Sequence, residues 1–157
     1  MNSATIEALY IFDEHHNPIL THAYNARPLS AAQLLSLFLT HPVPRPSLIH
    51  LSDTAPPTLV FSLRTEADVL LLATASAEIE PLLVLEFLHR VVDAFEAFLG
   101  APLLAARIEG SYNVVAQLLT EMCDAGLVAT TEPNALMDMV EVEGWVDKLL
   151  GNLSLPG

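Results

Sequence analysis

The most restrictive feature of this sequence is a segment near its start that is apolar on both faces of an extended strand. Between residues 4 and 12, an extended conformation places Ile6, Ala8, Tyr10 and Phe12 on one side and Leu9 and Ile11 on the other. A strand with two apolar faces has to be covered on both of them. The sequence therefore predicts a sheet with helices packed above and below it.

Further extended segments supply the rest of such a sheet. The polar, turn-rich run from Asp13 to Pro18 predicts a hairpin that returns through the segment 19–24. Residues 59–63 and 69–75 predict two more strands joined by a second hairpin, and residues 48–51 predict a short strand within a proline-rich stretch. The predicted sheet thus has about five strands.

Capping residues and apolar periodicity predict the helices. Ser30 and Gln33 have the spacing of a capping box, so a helix is expected from Ala31 until Pro42 stops it near residue 41. A second helix over 82–99, with Pro81 at its start and Gly100 at its end, carries an apolar stripe of Val84, Leu88, Val91, Phe95 and Phe98.

A third helix is predicted over about 107–125, ended by Gly126, with a stripe of Ile108, Tyr112, Val115, Leu118, Leu119 and Met122. A short helix near 133–140 and an amphipathic tail near 145–150 complete the predicted chain.

Composition and charge exclude several classes of function. The chain has 157 residues, of which 52% are hydrophobic and 16% charged, so one domain has more apolar material than its own core requires. A formal charge of −13 repels nucleic acid and anionic membranes, and Glu7, Asp13 and Glu14 interrupt any secretory signal. Its apolar runs fall short of a membrane span, and one cysteine excludes an internal disulfide. We expect a soluble protein in a reducing compartment.

Three stretches resemble a known family. The sequence LEFLHRVVDAF at 85–95, continuing to Gly100, is similar to the medium (mu) subunits of clathrin-type adaptor complexes, and so are VAQLLTEMCDAG at 115–126 and ATTEPNAL at 129–136. The His89-Arg90 pair is closer to the medium subunit of adaptor protein complex 3 than to its relatives.

The resemblance implies the α/β (α+β) longin fold, which is an antiparallel sheet of about five strands with one helix on one face and two on the other. It implies a longin domain over residues 1–141, followed by an amphipathic tail over 142–157 that begins a linker to an absent cargo-binding domain. It further implies a subunit that packs on a large beta-type subunit of a heterotetramer, cytoplasmic and peripheral to Golgi and endosomal vesicles, which sorts cargo to lysosomes or vacuoles. Cargo signals are not expected to bind this part of the chain.

Two alternatives remain at this point. Within the same fold, the chain resembles a small (sigma) adaptor subunit or another longin trafficking protein. From a different class, a ligand-binding or enzyme domain would need visible chemical machinery, and the sequence has no phosphate-binding glycine motif, nucleophile elbow or zinc-protease signature. We therefore predict no catalytic residues, no metal and no cofactor.

Three sets of residues have side chains of types that occur in metal or catalytic sites. Asp13, Glu14, His15 and His16 include zinc-ligand types, but consecutive residues in a turn point in different directions. Cys123 is expected to be a small buried residue within the third helix. It is not expected to be a nucleophile, since no base accompanies it. Glu86, His89 and Asp93 share one helical face, which the solvated side of an amphipathic helix explains.

The first helix is the predicted partner-binding element. Leu34 and Phe38 belong to its apolar stripe, and Leu37 and Leu39 widen that stripe on both flanks. One face of a sheet does not easily cover so wide an arc. We expect an exposed edge at Leu37 and Leu39 that binds another protein, whereas coverage by the proline-rich loop or the tail is the structural alternative.

Overall fold

A computed structural model describes residues 5–24, 29–51, 58–76, 79–124 and 127–128 of the chain. Strands and helices follow one another as β1 (Ile6–Phe12), β2 (Pro18–Ala23), α1 (Ala31–Leu39), β3 (Leu48–Leu51), β4 (Thr58–Arg64), β5 (Leu70–Ser76), α2 (Pro81–Leu99), α3 (Ala105–Gly110), α4 (Tyr112–Met122), β6 (Cys123–Asp124) and β7 (Leu127–Val128). The predictions for 125–126 and 129–157, including the Gly126 cap, the short helix and the tail, lie outside the described residues.

The first five strands form one antiparallel sheet in the order β2-β1-β5-β4-β3. Hairpins join β1 to β2 and β4 to β5, as the turn residues predict. The central strands β1 and β5 are the most apolar, and nearly all of their residues are buried. The predicted sheet is confirmed, including the short strand at 48–51.

The sheet separates two hydrophobic clusters. The larger one joins β-strand residues such as Leu9 and Phe61 to the buried faces of α2, α3 and α4. The smaller one joins Tyr10, Phe12 and Leu72 to Leu34 and Phe38 of α1. Because α1 packs on one side of the sheet and α2, α3 and α4 pack on the other, the predicted arrangement of helices on both faces is confirmed.

A bulge in β1 corrects one prediction about its faces. Ile6 pairs with Ala75 while Ala8 pairs with Thr74, so β1 has one extra residue at this point. An extra residue reverses the alternation of side chains. Ile6 therefore packs in the larger cluster with Leu9, and its predicted position on the face of Tyr10 is wrong.

Helix α2 follows its predicted stripe closely, with Phe87 and Ala94 buried in addition to the predicted residues. It ends at Gly100, which has a φ of 95° and a ψ of 148°, a region that almost only glycine occupies. An extended rather than helical ψ directs the chain away from the helix axis after this residue.

The helix predicted over 107–125 is divided in two. Ser111, with a φ of −131° and a ψ of 39°, separates α3 from α4, directly after Gly110. The break also exposes Tyr112, whose side chain is 51% accessible, while Val114 is buried instead. The prediction that Tyr112 lies on the buried stripe is therefore wrong.

Candidate protein interaction surface

Helix α1 is held in place at its N-terminal end. The Ser30 hydroxyl accepts a hydrogen bond from the Gln33 amide at 3.1 Å, and the Gln33 side chain accepts one from the Ser30 amide at 3.2 Å. The predicted capping box is thus present. Just before it, the Tyr10 hydroxyl donates to the Leu29 carbonyl at 2.6 Å, which attaches the start of α1 to the central strand β1.

The four predicted partner-binding residues divide into two pairs. Leu34 and Phe38 are buried, at 0% and 3% exposure, and belong to the smaller cluster under α1. Leu37 is half-buried and packs against the same cluster. Leu39, at 38%, is the most exposed of the four, and Val43 in the following loop is 72% exposed. The free apolar surface of α1 therefore lies at its last turn.

A second exposed apolar pair, at the start of α2, was missed in the sequence. Leu82 is 72% exposed and Leu83 is 43% exposed. Leu82 lies four residues before Glu86 and seven before His89, a spacing that puts it on the polar side of the helix. The same periodicity that identifies the buried stripe would have revealed it, because it separates Leu82 from Val84.

The polar run between β1 and β2 has a structural role. The Asp13 carboxylate accepts hydrogen bonds from the backbone amides of His15 and Asn17 at 2.8 and 2.9 Å, and another from the Asn17 side chain at 3.1 Å. These bonds, the one from the Asn17 backbone first, hold the pKa of Asp13 below its usual value. Among the described residues, no group of three or more His, Cys, Asp or Glu side chains is arranged to hold a metal ion.

Cys123 and the residues on the polar face of α2 occupy positions typical of structural residues. Cys123 is buried, but α4 ends at Met122 and Cys123 begins β6, so its predicted location within a helix is wrong. Glu86 lies 3.6 Å from Arg90 in an exposed pair one helical turn apart. His89 and Asp93 are exposed on the same helix. These positions fit a solvated helix face.

Two tyrosines and one histidine in or next to the sheet have pKa values that are altered by burial. Burial raises the pKa of Tyr10 to about 12, although a hydrogen bond with Thr74 partly offsets it. Burial also raises the pKa of Tyr24, whose hydroxyl donates to the Leu119 carbonyl at 2.8 Å and so connects β2 to α4. The His22 ring lies 4.9 Å from that of Tyr24, and burial lowers the pKa of His22. These groups stabilise the junction of β2 with its neighbours.

Membrane insertion through a helix has no support in the described part of the chain, where no helix combines the length and apolar character of a bilayer span.

Comparisons with known proteins identify relatives of one kind. The chain is 36% identical over 87 residues to the AP-3 complex subunit mu of Dictyostelium discoideum, covering 55% of this chain and 21% of that protein. It is 28% identical over 152 residues to the AP-3 complex subunit mu of Schizosaccharomyces pombe, covering 94% of this chain and 34% of that protein. Against the AP-3 complex subunit mu-1 of Homo sapiens it is 42% identical over 64 residues, covering 41% of this chain and 15% of that protein. No protein-family model matches.

A structural comparison agrees with these relatives. A chain in a homology model of the full-length AP-3 complex in a stretched open conformation superposes with a TM-score of 0.62 at 15% identity, covering 94% of this chain and 96% of that one. The fold is therefore that of a chain in an adaptor complex. The resemblance to the mu subunits of adaptor complexes, and among them to that of AP-3, is confirmed, although the chain spans at most about a third of the length of these relatives.

Proposed function

We propose that this chain is an assembly domain of the medium subunit of an AP-3 adaptor complex, packing on a large beta-type subunit. The observation that carries the proposal is the similarity to an AP-3 mu subunit over 94% of the chain. In this role the domain acts by burying apolar surface against a larger subunit, without catalysis or a cofactor. It works in the cytoplasm, at Golgi and endosomal vesicles, in transport to lysosomes or vacuoles.

The last turn of α1 is the proposed contact. Leu39 and the half-buried Leu37 form the apolar edge, while Leu34 and Phe38 support it from beneath. Exposed apolar side chains grouped at the end of one element favour an interface. Acidic residues are missing from α1 itself, in a chain whose 19 Asp and Glu residues outnumber its 6 Lys and Arg. A neutral, apolar edge of this kind avoids the cost of burying charge when two subunits associate.

Co-expression with the large beta-type subunit of an AP-3 complex tests the proposal. We expect the two chains to co-purify, and Leu39→Asp to reduce the captured amount by about tenfold or more, because a carboxylate would be buried without a partner. Leu37→Asp is expected to act in the same direction.

Leu82→Asp is the matched control. It introduces the same charge at a more exposed leucine on the opposite layer of helices, so we expect capture to remain unchanged. Loss of capture with Leu82→Asp and not with Leu39→Asp would move the interface to α2. Failure of the unmodified chain to co-purify with this subunit would contradict the assembly role itself.

A further inference from the structure

A second surface, next to the apolar edge of α1, has the character of a ligand pocket. It has a volume of about 310 Å³ and lies where the loop after α1 passes the end of β4 and the start of β5. Its polar lining consists of Arg45, Arg64, Ser47 and Ser62, and its apolar lining includes Phe38 and Val43. We call it the two-arginine pocket.

The charge of this pocket is opposite to that of the chain. The sequence has 19 acidic and 6 basic residues, yet the pocket contains two arginines and no Asp or Glu. On the other side of the β4–β5 hairpin, a neighbouring pocket of about 360 Å³ also reaches Arg64 but is lined by Glu66, Asp93 and Glu96. The two-arginine pocket is thus a local positive site on an acidic protein.

An aromatic ring and a histidine lie beside the two guanidinium groups. The Arg45 guanidinium carbon lies 5.0 Å from the centre of the Phe38 ring, a cation–π contact. The Arg45 Nε atom is buried and has no hydrogen-bond partner within the described part of the chain. The Arg64 Nη2 atom lies 3.2 Å from His16 Nε2. In the described ranges, neither arginine is paired with a carboxylate, and the lining of the pocket contains no Asp or Glu.

A carboxylate on a ligand would supply the negatively charged hydrogen-bond acceptor that these arginines lack in the described ranges. Guanidinium groups bind carboxylates through paired, charge-assisted hydrogen bonds, and a partly buried cation without a counter-ion is costly. The serine hydroxyls beside them are additional hydrogen-bond donors. The apolar part of the lining, including Val43 at 72% exposure, would be left uncovered by a bare anion and suits an adjacent apolar side chain.

We propose that the two-arginine pocket binds an acidic peptide segment of a partner protein, with a carboxylate between Arg45 and Arg64 and an apolar side chain against Phe38 and Val43. This site borders the assembly interface and shares Phe38 with it, but it is formed mainly by the loop after α1 and the β4–β5 end of the sheet. It gives the domain a way to hold a flexible acidic segment while α1 contacts a folded subunit.

Amide NMR spectra of the full chain at low ionic strength provide the test, with an acetylated and amidated Glu-Leu-Glu tripeptide as the probe. We expect the signals of Ser47, Ser62 and Arg64 to shift saturably. Arg45→Gln and Arg64→Gln are each expected to weaken binding on the order of tenfold, since each removes a charge-assisted hydrogen-bond donor. Arg64 is exposed, so its variant remains folded and keeps the test valid if Arg45→Gln is destabilised.

Arg90→Gln is the matched control, because it removes the same charge from α2, where Arg90 pairs with Glu86. Equal weakening by Arg90→Gln would show that overall charge, and not the pocket, attracts the peptide. Equal binding of a Gln-Leu-Gln tripeptide, or inorganic phosphate shifting the same amides at the same concentration, would overturn the proposal. Because none of these measurements includes a large subunit, failure here is distinguishable from failure of the assembly role.

Discussion

The division of α1 into a supporting face and a free edge predicts two very different alanine variants. Leu34 is fully buried under the helix, whereas Leu39, one helical turn and one residue further on, is 38% exposed. Both are leucines in the same nine-residue helix, so their helix propensities cancel in the comparison. The difference between Leu34→Ala and Leu39→Ala therefore measures burial alone.

The expected magnitudes follow from that burial. Removing a buried leucine side chain leaves a cavity and costs about 2–5 kcal/mol. A domain of ordinary stability has roughly 5–15 kcal/mol in total, so Leu34→Ala is expected to remove a large fraction of it. Leu39→Ala loses only part of one side chain's contacts, which we put at about 1 kcal/mol or less.

Urea denaturation of the two variants checks these values through their midpoints, provided that the slopes of the transitions stay equal. Capture of the large subunit is then measured without urea, at a temperature at which both variants are folded. It should fall for Leu39→Ala. Similar losses of stability in the two variants would refute the reasoning, because they would mean that Leu39 is part of the core. Unchanged capture by a folded Leu39→Ala variant would exclude it from the interface.

Three further predictions concern the sheet and the ends of α2 and α3. The pKa of Tyr10 is raised to about 12 in the folded chain, so the folded state retains the proton more strongly, and the resulting stability is present below pH ~10 and lost as the pH rises toward 12. Tyr10→Phe should therefore flatten the alkaline decline in urea midpoints, and an unchanged decline would contradict the role of this phenol. Gly100→Ala is expected to cost about 1–3 kcal/mol, because φ is +95° and the new Cβ would lie 2.7 Å from Arg107 Nη1. Gly110→Ala, where an added Cβ meets nothing within 4 Å, should be neutral or slightly stabilising in the same denaturation assay.

Local chemistry made most of the fold predictable from the sequence. The Ser30–Gln33 capping box and Pro81 gave the starts of α1 and α2, and the turn residues gave both hairpins. These signals act within a few residues and need no knowledge of the rest of the structure. The elements predicted from these signals are therefore confirmed.

The misplaced residues depend on partners distant in sequence. Ile6 changed faces because β1 carries an extra residue relative to β5, a register that the sequence of β1 alone does not record. Tyr112 became exposed because Ser111 interrupts the helix, and an apolar stripe drawn through the break no longer has a common face. In both places, pairing or packing overrode a correct local pattern.

The exposure of the proposed partner-binding residues was only half predictable for the same reason. The apolar stripe on α1 predicts that four side chains are covered, namely Leu34, Leu37, Phe38 and Leu39. It does not distinguish those that this chain covers from those left for a partner. That distinction depends on the angle at which α1 lies across β1, β5 and β4. The arginines of the two-arginine pocket were missed altogether, because Arg45 and Arg64 are 19 residues apart and come together only where the segment around Ser47 packs along β4.

The geometry of the two layers supports the proposal that a partner docks on the side of α1. A sheet of five strands is roughly 20 Å wide, whereas a helix with its side chains is only about 10–12 Å across. Helices α2, α3 and α4 together cover one face, but in the described ranges α1 alone, with nine residues, covers the other. The buried cluster on that side includes Ile49 and Leu51 of the edge strand β3, which extends the apolar layer beyond the width of one helix. A subunit that docks at the last turn of α1 would widen this layer, and the exposed Leu39 lies where that extension begins.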